Sequence, residues 1–306
     1  MKDQTKSEKP EGRNVSRRSI LKAGGIAGVL TPITAVLAGR LIPGLGVSDA
    51  QADAAPPPAS IWNGAGYFVH DSVDASNLSG GAIRARLNST WKTFRNRNIG
   101  NAFLNWNLQA RIDALSSGMT CLDGPHSGAL ATYGAGRGDS AFTVNNAFKG
   151  FGPVPIASKL DESIQMVLDN WNASSDQKIA ILTAFYQDHG MWDQRMLDSL
   201  ELYSTPKFQT HSFLNQFLNP QATIVFLAIP GSYEVRAIPR LIHPNDPNVS
   251  AEDYKRVRWG NMIHDFFHGG PYPDKPTRIY VIYYVVEVFD DSPVTGGQGL
   301  RTVPAL

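Results

Sequence analysis

A single cysteine, Cys121, stands among the 306 residues, and its solitude removes several chemistries at once. No intramolecular disulfide can form. Cysteine-ligated iron–sulfur clusters, zinc sites built from several thiolates and the C-x-x-C-H haem attachment are excluded too. Charge is sparse: Asp, Glu, Lys and Arg make up 18% of the chain, against a usual ~25%. Asparagine, glycine and aromatics fill the gap. Long apolar runs are also lacking. The best, Ala23 to Ala38, is broken by Gly24, Gly25, Gly28 and Pro32 and stopped by Arg40. It falls short of the ~20 strongly apolar residues that a membrane span needs. No internal repeat of fixed period is visible.

What is present begins near the N-terminus. Ser16, Arg17, Arg18, Ile20, Leu21 and Lys22 follow the order serine, two arginines, any residue, apolar pair, lysine. Lys2, Lys6, Lys9 and Arg13 precede them, and the broken apolar run follows. Two small-x-small sites, Ala50-Gln51-Ala52 and Ala52-Asp53-Ala54, then stand before Pro56-Pro57-Pro58. From Val15 to Ala54 the chain resembles a twin-arginine signal peptide, with Ile20 where phenylalanine is commoner. The resemblance implies export of an already folded protein by the twin-arginine translocation machinery, read through Arg17 and Arg18. It further implies cleavage after Ala52 or Ala54 and a periplasmic, cell-surface or secreted destination. Membrane contact is then transient, or persists through an uncleaved signal. Residues 1–54 hold 8 of the 28 basic and 5 of the 27 acidic residues, leaving 20 and 22 and a charge of about −2. That balance gives no drive toward nucleic acid, and it leaves self-association open.

Periodicity predicts an α+β fold, a helix-rich N-terminal half followed by a small sheet. Ser60 to His70 reads as a first strand. Ile83, Leu87, Trp91 and Phe94 predict a helix over Gly80–Arg97, and Leu104, Leu108, Ile112 and Leu115 predict another over Asn101–Ser117. Periodicity disappears from Gly118 to Pro155; a glycine-rich loop of that length is functional, mobile or hides short strands. Helices resume at Ser158, where Ser158-x-x-Asp161 makes a capping box and Leu160, Ile164, Val167, Leu168 and Trp171 mark one face, and again from near Ser175, kinked or ended at Gly190 before Met196, Leu197 and Leu200. Phe208–Leu218 closes the helical half. Ala222–Ile229, the turn Pro230-Gly231 and Tyr233–Ile238 form a hairpin. Ser250-x-x-Asp253 opens a helix that ends at His268 before Gly269-Gly270-Pro271. Thr277–Phe289 is apolar on both faces, which places it in the middle of a covered sheet. The expected regions are the signal (1–54), the helix-rich part (55–219), the hairpin, crossing helix and long strand (220–290) and an irregular tail (291–306). The second and third are either separate or one domain.

The strongest chemical candidate is His264-Asp265-Phe266-Phe267-His268. Histidines four apart share a helix face and can hold one divalent metal ion through two imidazoles. They lie opposite the apolar stripe of Trp259, Met262, Ile263, Phe266 and Phe267. The glutamate of the H-E-x-x-H metalloprotease motif is missing, and a metal needs a third ligand from elsewhere, with His189, His211, His243 and several carboxylates as candidates. Asp188, His189 and Asp193 cluster near a helix break, where acid–base chemistry or a polar helix end would both fit. Cys121 and His126 would make a nucleophile and base only with an orienting group that the sequence does not display. Gly134-Ala135-Gly136-Arg137-Gly138 lacks the Gly-Lys-Ser/Thr ending of a phosphate loop. Arg137-Gly138-Asp139 spells a cell-adhesion tripeptide. Tyr272, Tyr280, Tyr283, Tyr284 and Trp259 would line a groove for sugar or peptide, or pack as sheet residues.

No complete catalytic constellation emerges. The sequence therefore favours an exported, non-catalytic binding, accessory or surface-assembly protein. A metal-dependent extracytoplasmic hydrolase using His264 and His268 is the alternative, followed by a partner subunit of an exported redox enzyme.

Overall fold

The computed structural model describes residues 61–117, 125–134, 136–270, 272, 275–293 and 299–305, all within one compact unit spanning residues 41–306. Arg17, Arg18, Ala52, Ala54 and Cys121 lie outside the described residues. Three strands, β1 (Val73–Asp74), β2 (Ala82–Leu87) and β3 (Thr90–Arg95), make a small sheet. The large sheet is built from β4 (Ser127–Tyr133), β5 (Val144–Gly150), β6 (Gly152–Pro155), β7 (Trp192–Ser199), β8 (Ala222–Ala228), β9 (Gly231–Ile242), β10 (Tyr280–Asp290) and β11 (Leu300–Val303). Its spatial order is β5-β4-β8-β9-β10-β7-β6, with β11 attached to β10. All pairings are antiparallel, and the sheet curls into a half-barrel. The α-helices among the described residues are α1 (Asn101–Ser117), α2 (Leu160–Asp169), α3 (Ser175–Gln187), α4 (His211–Leu218) and α5 (Ala251–His268).

This corrects the helix-rich N-terminal half, because sheet dominates and strands β1 to β7 all precede residue 200. The expected helix over 80–97 is the β2–β3 hairpin. Its two-residue turn is Asn88-Ser89, with φ of 47° and 66°, the left-handed pair that a tight hairpin demands. Ile83, Ala85 and Leu87 are its buried face at period two, but alanine carries no strand signal of its own. The unassigned stretch 118–155 hides β4, β5 and β6. Glycine concealed β4 for a packing reason: a Cβ on Gly128 would meet Ile224 Cγ2 at 2.8 Å and the Phe151 ring at 3.1 Å. Met196 and Leu197 belong to β7 rather than to a helix, residues 61–70 contain no strand, and the tail supplies β11.

Five helix expectations coincide with α1 to α5, and the hairpin β8–β9 stands where Pro230-Gly231 marked its turn. Helix α5 starts as its sequence says, with the Ser250 hydroxyl accepting from the Asp253 amide at 3.1 Å. It ends at Gly269 in the left-handed conformation, φ 67°. Strand β10 is buried on both faces. Val281, Tyr283 and Val285 enter the core shared with Phe226, Trp259 and Phe266. Tyr280, Ile282 and Tyr284 belong to a second core, which also contains Ile83, Ala85 and Leu87 of the small sheet and Val257 of α5. Helix α5 lies so close to β10 that a Cβ on Gly260 would stand 2.5 Å from the Tyr280 ring. Tyr280, Tyr283, Tyr284 and Trp259 are thus packing residues, not groove lining; of that group, Tyr272 is exposed.

Candidate functional site

The i,i+4 spacing does bring His264 and His268 together, with ring centroids 4.6 Å apart. His264 is half-buried and His268 exposed, and the buried Asn261 of the same helix organises the chain that follows it. Its Oδ1 accepts from the amides of Thr277 at 3.2 Å and Arg278 at 2.9 Å. That anchor delivers the Arg278 guanidinium to Asp265 at 2.8 Å. Asp265 also faces His264 Nδ1 at 3.1 Å. Burial alone would raise the Asp265 carboxyl, but the bonds from His264 and Arg278 hold it below its ordinary range. His268 keeps an exposed flank. Partial burial, then the neighbouring His264 and His126, push its imidazole down to about 4. It is therefore neutral at neutral pH.

Among the described residues no three His, Cys, Asp or Glu side chains converge to hold a metal ion. His189 sits exposed in a 3-10 turn after α3. His211 is bound to Asp139 at 3.0 Å. His243 packs edge-on against Trp62 and Phe68, with centroids at 5.5 and 5.3 Å, and its Nδ1 faces the Asn245 amide at 3.2 Å. Asp188 caps the Gly190 amide at 3.0 Å, and Asp193 is paired with Arg195 at 3.2 Å, so the Asp188–His189–Asp193 run does not converge on one point. The adhesion-like tripeptide is also committed internally. Arg137 pairs with Asp139, donates to the Gln209 carbonyl at 3.2 Å and lies over Phe208.

Two buried titratable pairs were invisible in the sequence, because each joins residues with no motif between them. In the first, the Ser72 hydroxyl lies 2.8 Å from His70 Nε2. The Leu241 amide donates to His70 Nδ1 at 3.0 Å, so the proton resides on Nε2. Such an imidazole cannot take a proton from Ser72, whose hydroxyl donates instead to the Phe217 carbonyl at 2.6 Å. The pair caps the end of α4 and is no nucleophile. The second is Asp198, which accepts from the Tyr280 hydroxyl at 2.9 Å. Burial raises its carboxyl to about 6, against the opposing pull of Tyr280 and Arg111.

An open groove of about 480 Å3 lies between the small sheet and the outer face of the large one. Leu87 and Phe94 make one wall, Ala131, Thr223 and Val286 line the floor, and Tyr133 and Val144 stand at the rim. Its charged lining residues, Arg236 and Glu287, pair with each other at 3.5 Å. Arg236 also binds Glu234 and stacks 4.3 Å over the Phe289 ring. The groove therefore presents apolar surface with an internally neutralised rim. Nothing in the sequence marked it, since its residues come from seven separate strands of two sheets.

No protein-family model matches this chain, and no curated protein matches it. A crystal structure of tagged HupZ from Group A Streptococcus aligns over 55% of this chain and 86% of that one, at 10% identity and a TM-score of 0.29.

Proposed function

We propose that this chain is an exported, non-catalytic binding protein whose ligand seat is the groove between the two sheets. The carrying observation is the groove itself: apolar walls, a volume of about 480 Å3, and charged lining residues already paired with each other. That size falls within the range of small-molecule sites. The ligand class that suits it is neutral and apolar, because an ion would have to break the Arg236–Glu287 pair. The acid–base candidates support the same reading from the other side, since His70, Ser72 and Asp198 are buried and hydrogen-bonded within the fold. The metal-dependent hydrolase reading keeps the His264–His268 pair, which no third ligand joins among the described residues.

Export and binding are tested separately. Replacing both Arg17 and Arg18 by lysine is expected to leave the precursor in the cytoplasm, measured by cell fractionation; undiminished secretion of that variant would overturn the export half. For binding, the neutral dye Nile red is expected to bind the exported protein at one site. Ala131→Trp fills the groove floor and is expected to weaken that binding about tenfold or more, close to 1.4 kcal/mol. A folded Ala131→Trp variant that binds the dye as the parent does removes the groove from consideration.

A further inference from the structure

Among the described residues the large sheet ends at β5, which pairs with β4 alone. The Phe151 amide bonds to His126 at 2.7 Å and the Gly134 amide to Thr143 at 2.8 Å. These two bonds set the phase of the ladder: odd-numbered residues of β5 turn their backbone groups toward β4. Val144, Asn146 and Phe148 therefore turn theirs to the open edge. Gly150 confirms the phase, because its amide points outward and is capped by Glu201 at 2.8 Å. The side chains of Val144, Asn146 and Phe148 are exposed, Val144 by 62% and Phe148 by 77%.

Natural sheets blunt such edges with prolines, inward charges or very short strands. The opposite edge does so: β6 is four residues long and carries Pro153 and Pro155. The outer strand β3 carries Lys92 and Arg95. Strand β5 has no proline, and its one charge, Lys149, lies on the other face, over Tyr203.

The geometry points to a second copy of this chain as the occupant of that edge, paired antiparallel about a two-fold axis through Asn146. In this register Val144 of each copy faces Phe148 of the other, and the two Asn146 residues face each other. Each facing pair exchanges both N–H···O bonds. Val144 against Phe148 is a β-branched residue against an aromatic, a favourable cross-strand pair. Lys149 falls opposite Thr143, so no like charges meet. A shift of two residues either way would forfeit one outward pair or collide with the Glu201 cap on Gly150. The strand is self-complementary in a way that an edge for an unrelated peptide need not be, and this inference does not depend on the groove reading.

The test uses the exported protein at roughly 10 to 100 μM, a range suited to an interface of modest area. Sedimentation velocity is expected to give a dimer for the parent and a monomer for Asn146→Lys, which sets two ammonium groups opposite one another. Asn146→Pro is expected to do the same: its lost N–H faces outward, so the β4 ladder stays intact. A third variant guards against misfolding. Asn146→Cys in a Cys121→Ser background is expected to form a disulfide-linked dimer on mild oxidation, while Asn145→Cys does not. A parent that stays monomeric over that range, or equal cross-linking at 145 and 146, overturns the proposal. Recovery of the edge bound to a different protein's strand, with no dimer, overturns it too.

Discussion

A His70→Gln variant is expected to be less stable than the parent at pH 7.5 and more stable than it at pH 3.5. In the parent, His70 is enclosed by Phe217, Ser72 and the Leu241 amide. Burial, with Arg240 and Arg86 adding to it, lowers the imidazole from 6.5 to about 3. The unfolded chain therefore binds a proton at His70 below 6.5 that the folded chain refuses until about 3. Folded stability falls as pH drops through that window, by about 1.4 kcal/mol per pH unit. By pH 3.5 this amounts to about 4 kcal/mol. Glutamine keeps the donor toward Phe217 and Ser72 but leaves the buried Leu241 amide without its acceptor, a cost of about 1–3 kcal/mol at any pH. The two stability curves must then cross. Urea unfolding followed by tryptophan fluorescence across pH 3.5–7.5 measures this directly. Curves that run parallel would show that His70 titrates alike in both states.

The environment that sets this behaviour could not be read from residues 61–72 alone. A histidine two residues from a serine is an unremarkable pairing in sequence, and its meaning comes from the end of α4 and from a β9 amide, both far along the chain. The same distinction runs through the fold. Helices α1 to α5 were legible because their apolar spacing and caps are local properties; Ser250 and Gly269 bracket α5 on sequence evidence alone. Strand β10 was legible because an uninterrupted apolar run has few other uses. The β2–β3 hairpin was not, since Ile83, Leu87, Trp91 and Phe94 fall by chance at helical spacing while the small Ala85 carries the true period. Strand β4 needed glycine at 128 to admit Ile224 and Phe151, and that packing need erased the strand signal. At the candidate sites, the meeting of His264 with His268 followed from helix geometry. The orientation of Asp265 did not, because Arg278 reaches it through the turn that Asn261 anchors. The groove and the bare edge of β5 are products of strand order, which no local pattern encodes.

The pH dependence from Asp198 is expected to oppose that from His70, and Asp198→Asn isolates it. Asp198 lies on β7 beneath α5, with Gly260 close above the Asp198–Tyr280 pair. Burial raises its carboxyl from 3.8 to about 6, so the folded chain holds a proton there that the unfolded chain has already released. Stability from this group falls as pH rises from about 4 to about 6, by about 3 kcal/mol in total. Asparagine does not titrate. Its carbonyl can still accept from the Gly152 amide while its amide donates to the Tyr280 oxygen, so Asp198→Asn is expected to gain about 3 kcal/mol on the parent between pH 4 and pH 7. Denaturant unfolding at those two pH values provides the comparison, and an unchanged difference between variant and parent would refute the buried, protonated carboxyl. Tyr280→Phe gives an independent check. The Tyr280 hydroxyl lowers the Asp198 carboxyl, so losing it should extend the window above pH 6. Because His70 loses stability toward acid over much of the range in which Asp198 gains it, the parent's own profile between pH 4 and 6 should be flatter than that of either single variant. Each slope becomes visible when the opposing group is removed.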